Sequence, residues 1–274
     1  MLAFVHIEKT AGSTMVSILR KSFGIHHADV RSWETPWNSE VSNFTSSDLR
    51  KTKRVYCNLQ SIAGHSLKPY IISREDEPSI RYFTFFRDPL KRCASHYQYQ
   101  IQKMHKIVSF DEWISNEEYR NFQCRRLCGQ ESAERAIEVL KNQIEFAGIV
   151  EQFDASLVLM NKLYPLLDIH YSPRNVAEDN FIKNNILNST RERRMLEEAN
   201  KEDGILYSYV EKEVFPRQVK QYGEAFSMDV HNFQEQNKTS DKLREGLMPL
   251  VIRHLLFRPV MSAYRLQKRV LVKR

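Results

Sequence analysis

The chain is poor in glycine and proline, with eight and nine residues in 274. That excludes a collagen-like helix and leaves no room for low-complexity architecture. Its four cysteines, Cys57, Cys93, Cys124 and Cys128, are too few and too scattered for a disulfide framework. Cys124 and Cys128 have i, i+4 spacing but fall short of the four ligands of a structural zinc, and read as packing thiols. No clustered set of His, Cys and carboxylates appears elsewhere, so no metal is expected. No apolar run reaches the ~18 residues of a membrane span. Met1–Ile7 lacks the charged start and long apolar stretch of a secretory signal. A soluble, cytoplasmic chain is the expectation; a trimmed Golgi catalytic domain has the same appearance.

Excess charge is also missing from most of the chain. Residues 241–274 hold nine Lys/Arg against Asp241 and Glu245, which accounts for the whole formal charge of +7. The preceding residues are neutral overall. A fold that coats nucleic acid spreads its cations through the domain, so no nucleic-acid partner is expected.

What the chain does have is core-forming material: 42% hydrophobic residues, with three Trp, twelve Tyr and fifteen Phe. The pattern alternates strands with helices. Leu2–Ile7 is short, apolar and rich in strand formers, and a helical pattern starts at Met15 after a small-residue loop. Residues 31–54 read as a polar excursion, Arg54–Cys57 as a second strand and Ser61–His65 as a loop after it. Tyr82–Phe86 reads as a third strand ending at Arg87-Asp88-Pro89, where Pro89 opens a helix to about Met104. Ser109-Phe110-Asp111-Glu112 and Ser189-Thr190-Arg191-Glu192 fit capping boxes for helices near 110–122 and 190–200. Helices at 133–140 and 155–164 flank a strand at 144–150, and a late helix follows at 203–222.

The alternation predicts an α/β fold: a three-layer, P-loop-like domain over residues 1–225, with a mostly parallel central sheet flanked by helices. Residues 229–240 read as polar and loosely held. Residues 226–274 form a basic, amphipathic C-terminal extension, read as a pair of helices interrupted by Pro249 and Pro259.

Two segments carry chemistry. In Lys9-Thr10-Ala11-Gly12-Ser13-Thr14 the backbone amides of a helix start, small residues and a lysine suit an anion. The nucleoside-triphosphatase loop instead ends in Gly-Lys-Ser/Thr, and a solvated turn is the alternative reading. Arg87 follows a buried strand at the end where open α/β sheets place ligands, and Ser95 lies eight residues on. A surface ion pair between Arg87 and Asp88 is the alternative there. His6 reads as a satisfied core residue, His26 and His27 as a solvated pair, and His96 as either a pocket lining or a helix-surface residue.

Together these segments resemble the sulfotransferases that use 3′-phosphoadenosine 5′-phosphosulfate (PAPS), in the branch similar to heparan sulfate 2-O-sulfotransferase and its bacterial relatives. His6 to Thr14 is similar to that family's 5′-phosphosulfate loop. Arg87-Asp88-Pro89 through Arg92, Ser95 and Tyr97 is similar to its 3′-phosphate segment, in the expected order about 75 residues later. Weaker likenesses lie at Asn121–Gly129, Gly148–Phe153, Asn175-Val176 and Leu206-Tyr207. The chain departs from the pattern at Glu8, where relatives commonly have Pro, at Ala63, where the heparan enzyme has a further His, and at Cys124, where Thr is more usual.

The resemblance implies PAPS as donor and adenosine 3′,5′-bisphosphate as product. Lys9, the amides from Thr10 through Ala11 and Gly12 to Thr14, and the hydroxyls of Ser13 and Thr14 would hold the 5′-phosphosulfate. Arg87 and Ser95 would hold the 3′-phosphate. His65, after Gly64, would be the base that takes the proton of an acceptor hydroxyl on an alcohol or saccharide. Two other readings stand beside it: a nucleotide-dependent phosphotransferase, which needs Mg²⁺, and a non-catalytic nucleotide- and polyanion-binding protein. For the basic tail the readings are packing on the main domain or contact with a membrane surface or polyanion.

Overall fold

A computed structural model describes residues 1–34, 42–56, 58–173, 179–239, 251 and 253–272. Five strands form one sheet in the order β2-β3-β1-β4-β5: β1 (Leu2–Val5), β2 (His27–Asp29), β3 (Ser61–Gly64), β4 (Arg81–Phe86) and β5 (Ile144–Ile149). All four pairings are parallel. The central strands are apolar and buried on both faces, as a parallel sheet covered by helices requires. The anticipated α/β class is therefore what the chain adopts.

The order of the strands fixes where a crevice forms. After β1 the chain passes through helix α1 (Gly12–Phe23) to the β2 side of the sheet. After β4 it passes through α3 (Pro89–Gln102) and later helices to β5 on the opposite side. Right-handed crossovers running in opposite directions place their helices on opposite faces, and the strand ends between them open a gap. That gap lies between the carboxyl ends of β1 and β4.

The edges of the sheet are covered. From helix α11 (Phe215–Tyr222) the Gln218 amide reaches the outer side of β5, donating to the Ala147 carbonyl at 3.0 Å. It thus stands in for a further strand. At the other edge His27 is buried in β2, with Nδ1 3.1 Å from the Ser61 hydroxyl and Nε2 3.5 Å from an Asp29 oxygen. The expectation of a solvated His26-His27 pair fails for His27.

Helix starts follow their sequence signals closely. Ser109 and Ser189 accept the expected backbone N–H at the openings of α4 (Phe110–Ser115) and α9 (Thr190–Ala199), and Asp88 and Ser132 do the same for α3 and α6 (Ala133–Gln143). The single helix expected over 110–122 is instead broken: Asn116 starts a 3₁₀ turn, and α5 (Phe122–Cys128) follows. The strand expected at Arg54–Cys57 is also corrected. Ser46–Val55 is helix α2, opened by a capping box between Thr45 and Asp48, and Cys57 lies outside the described residues. The strand falls at Ser61–Gly64, in what read as a loop.

The end of the chain is more ordered than its polarity suggests. Phe226–Thr239 is helix α12, against α7 (Phe153–Leu163), with Phe233 buried and the Asn237 side chain accepting the Tyr171 N–H at 2.9 Å. Pro249 lies outside the described residues. Pro259 does not interrupt the C-terminal helix Arg258–Val272, because a π turn at Arg253–Phe257 precedes it. The same arrangement recurs at Val210–Val214 before Pro216. Widening the helix ahead of proline moves aside the carbonyl its ring would strike. Phe257 and Met261 are fully buried in the main core.

Candidate active site at the carboxyl ends of the strands

The loop from β1 to α1 is tightly shaped. The buried Thr10 hydroxyl donates to the Ile7 carbonyl at 2.9 Å, while Lys9 and Ala11 take the left-handed backbone conformation at φ 69° and 60°. Such a conformation in non-glycine residues costs of order 1–3 kcal/mol each and persists where surrounding structure imposes it. Helix α1 opens from this loop with no side-chain cap on its first turn, and the N-terminus of a helix is a favourable place for an anion.

Across the gap, a reciprocal pair of hydrogen bonds fixes the backbone of Arg87. Its N–H donates to the Gln123 side chain at 3.0 Å, and the Gln123 amide donates back to its carbonyl at 2.9 Å. Gln123 is held in turn by the buried Asp203, which accepts the N–H groups of Gln123 and Cys124 at the start of α5. From this anchor the Arg87 guanidinium crosses the gap and donates to the Lys9 carbonyl at 3.1 Å. The two segments, remote in sequence, thus meet at one crevice.

The crevice is positively charged. Lys9 lies with Nζ 4.4 Å above the Tyr99 ring of α3, and burial, reinforced by Arg87, pulls its ammonium down to about 8. Lys183, from helix α8 (Phe181–Asn188), is lowered by burial and then by Arg87 and Lys91. Arg87 itself is lowered chiefly by burial, with Glu151 opposing. Among the described residues none of these three cations forms an ion pair with a carboxylate, and the buried Arg87 Nε has no protein acceptor. Cations that depress one another in this way are stabilised by an anion placed between them.

Ser95 is half-buried on α3, one turn before Tyr99 and hence on the same helix face. His96 is not a surface residue: it is buried among Trp113, Tyr119 and Phe122 and driven down to about 2, first by burial and then by Arg92 and Lys9. It is a neutral core ring.

His65 follows β3, whose Gly64 lies so close to the neighbouring chain that a β-carbon there would sit 2.2 Å from the Val30 carbonyl oxygen. Its ring stacks on that of His6, with centroids 3.9 Å apart and planes at 28°. His6 is accordingly a partly buried ring beside the crevice rather than a core residue. Gly12 lies beneath it, since a β-carbon on Gly12 would fall 1.8 Å from His6 Nε2. Glu8 turns away from the loop amides onto Arg126, which binds both carboxylate oxygens. Tyr99, Lys183, Gln123 and Arg126 carry much of this geometry. Gln123 and Arg126 lie in a stretch that the sequence reading singled out without assigning either a role; Tyr99 and Lys183 follow no motif.

Among the described residues no group of three His, Cys, Asp or Glu side chains is arranged to hold a metal ion, and no helix is long and apolar enough to cross a membrane. Asn175-Val176 falls outside the described residues.

No family model matches the chain, and no curated protein matches it. Among solved structures it is similar to a sulfotransferase from Alicyclobacillus acidocaldarius, at 11% identity and a TM-score of 0.38, over 73% of this chain and 95% of that one. No function passes to this chain from a likeness at that level.

Proposed function

We propose that the chain is a sulfotransferase that moves a sulfonyl group from PAPS to an acceptor hydroxyl, on a carbohydrate in the favoured reading. The observation that carries the proposal is the Arg87 guanidinium resting on the Lys9 carbonyl, which puts both anion-binding segments around one crevice. A donor charged at both ends of its nucleotide fits cations that, among the described residues, form no ion pair with a carboxylate.

In this reading Lys9, with the amides of Thr10, Ala11, Gly12, Ser13 and Thr14 and the hydroxyls of Ser13 and Thr14, faces the 5′ side. Arg87 and Ser95 face the 3′-phosphate. The donor supplies an activated sulfonyl group and a bisphosphate leaving group. As the acceptor oxygen bonds to sulfur, His65 takes its proton, and the electron pair of the breaking bond goes to the bisphosphate oxygen. Lys9 and the loop amides stabilise the charge that builds there.

Calorimetric titration tests the reading. Adenosine 3′,5′-bisphosphate is expected to bind much more tightly than adenosine 5′-monophosphate. Equal affinities would remove the proposal, and ATP binding that requires Mg²⁺ would favour a phosphotransferase.

A further inference from the structure

We propose that Glu8 and the His6 carbonyl form a cradle that fixes the proton of His65 on Nδ1, leaving Nε2 as the base and making Glu8 a positioning residue. The inference rests on the sulfotransferase reading for its purpose, but its geometry stands apart from it. His65 Nδ1 lies 3.2 Å from the His6 carbonyl oxygen and 3.3 Å from Glu8 Oε1. Both neighbours are oxygens without a hydrogen to give. A lone pair on Nδ1 would face two negative dipoles, whereas an N–H there satisfies both. In the neutral ring the free lone pair then belongs to Nε2.

The cradle is itself held in place. Arg126 fastens Glu8 with two hydrogen bonds, Nε to Oε2 at 2.9 Å and Nη2 to Oε1, and its Nη1 lies 3.5 Å from the His65 carbonyl. The Arg126 guanidinium lies 4.7 Å above the Phe122 ring, so α5 sets its position. The plane of His65 is set by His6, and that of His6 by its contact with Gly12 in the phosphate-type loop. Burial, then the neighbouring His65 and Arg126, keeps His6 well below the ordinary imidazole range, so the stack does not bring two cations together. Glu8, which stands where the resembled family commonly has Pro, serves to orient the base. A carboxylate behind a histidine, itself fixed by an arginine, has the logic of the orienting acid in a nucleophile–histidine–acid triad.

The test combines spectroscopy with kinetics on the full chain. Long-range proton–nitrogen correlation of isotope-labelled protein, with His65 assigned from the His65→Gln variant, is expected to show the Nδ1–H tautomer at a pH where the ring is neutral. Glu8→Gln offers a donor to Nδ1, so it should shift His65 toward the Nε2–H form. It should lower kcat by on the order of tenfold to hundredfold, less than the ~10⁴-fold loss on amidating a triad acid, because the His6 carbonyl keeps part of the hold. The donor KM should stay within about twofold, and Glu8→Asp should restore part of kcat. An Nε2–H tautomer in the unaltered protein overturns the cradle, as does a Glu8→Gln variant with unchanged tautomer and kcat. Should the variant fail to fold, the spectrum of the unaltered protein still decides. Failure to prefer the bisphosphate would instead overturn the sulfotransferase reading and leave the tautomer result standing.

Discussion

At the scale of single residues, the crevice makes its sharpest claims through Lys9 and Arg87. Lys9→Ala is expected to slow transfer hundredfold or more, the ~3–4 kcal/mol typical of losing one donor to developing charge, as single-turnover rates would show. Arg87→Ala should weaken adenosine 3′,5′-bisphosphate by on the order of tenfold to hundredfold, the ~1.5–3 kcal/mol of a hydrogen bond to a charged group, while 5′-monophosphate binding moves little. Unchanged selectivity between the two nucleotides would detach Arg87 from the 3′ end. The Lys9 ammonium, held at about 8, also gives the affinity a pH dependence. Below that value the free protein already carries the charge that an anion needs. As pH rises through it, binding must first restore a proton, so affinity should fall above about pH 8 with measurable proton uptake. Titrations in buffers of different ionisation heat would show this, and a flat affinity from about pH 7 to about pH 10 contradicts it. Arg87 is legible because it directly follows an apolar strand and Lys9 because it opens a small-residue loop after one, whereas His65 is legible only through the family resemblance, its strand having read as a loop. Lys183 is not legible: its place depends on α8 packing against α3, fixed by its own N–H donating to the Gln98 side chain at 2.9 Å.

Elements were legible where a capping signal or a strongly apolar run decided them, and misread at Arg54–Cys57, where the end of a helix looked like a strand. Ser109 and Ser189 announce helices because capping is a contact across three residues, and Pro89 announces one because its ring suits a first helical position. Arg54-Val55-Tyr56-Cys57 looks like a strand, yet Val55 closes a helix whose opening box lies at Thr45 and Asp48, and the highly charged turn between them favours helix. The strand itself, Ser61–Gly64, is only four residues long, and its identity comes from pairing with both β1 and β2 rather than from its composition. The junction of β1 with α1 yields the prediction at this scale. Gly12→Ala puts a methyl group where the His6 ring now lies, so the ring must swing out and the stacked His65 loses its support. Transfer is expected to fall at least as far as in Glu8→Gln, with thermal stability lowered by the ~1–3 kcal/mol of overpacking. The His6→Ala, Gly12→Ala double variant should regain that stability but not the activity. Its failure to do so in thermal melts would mean that Gly12 serves the loop alone.

For the molecule as a whole, the C-terminal helix is where charge and packing must be told apart. All of the net charge of the chain sits in residues 241–274, which invites a reading of that segment as a free cationic arm. Its described part is instead tied down. Arg253 bonds Asp29 at 3.0 Å, alongside Arg20 at 2.7 Å; Arg265 Nε donates to the Trp33 carbonyl at 2.9 Å; and Lys51 donates to the Tyr264 hydroxyl at 2.8 Å. Phe257 packs edge-on against both Trp33 and Tyr56 with no exposure at all. Two of the tail's arginines therefore help hold this segment to the fold. Phe257→Ala should cost ~3–5 kcal/mol, as removal of a buried aromatic ring does, and unfold the chain at markedly lower denaturant. If the helix merely rested on the surface, the same substitution would change stability by less than ~0.5 kcal/mol, as exposed positions do. Near-ultraviolet circular dichroism of Trp33 during the same melts distinguishes the two, because a docked helix must leave in the same transition as the main core, whereas a loose arm would release the indole before it.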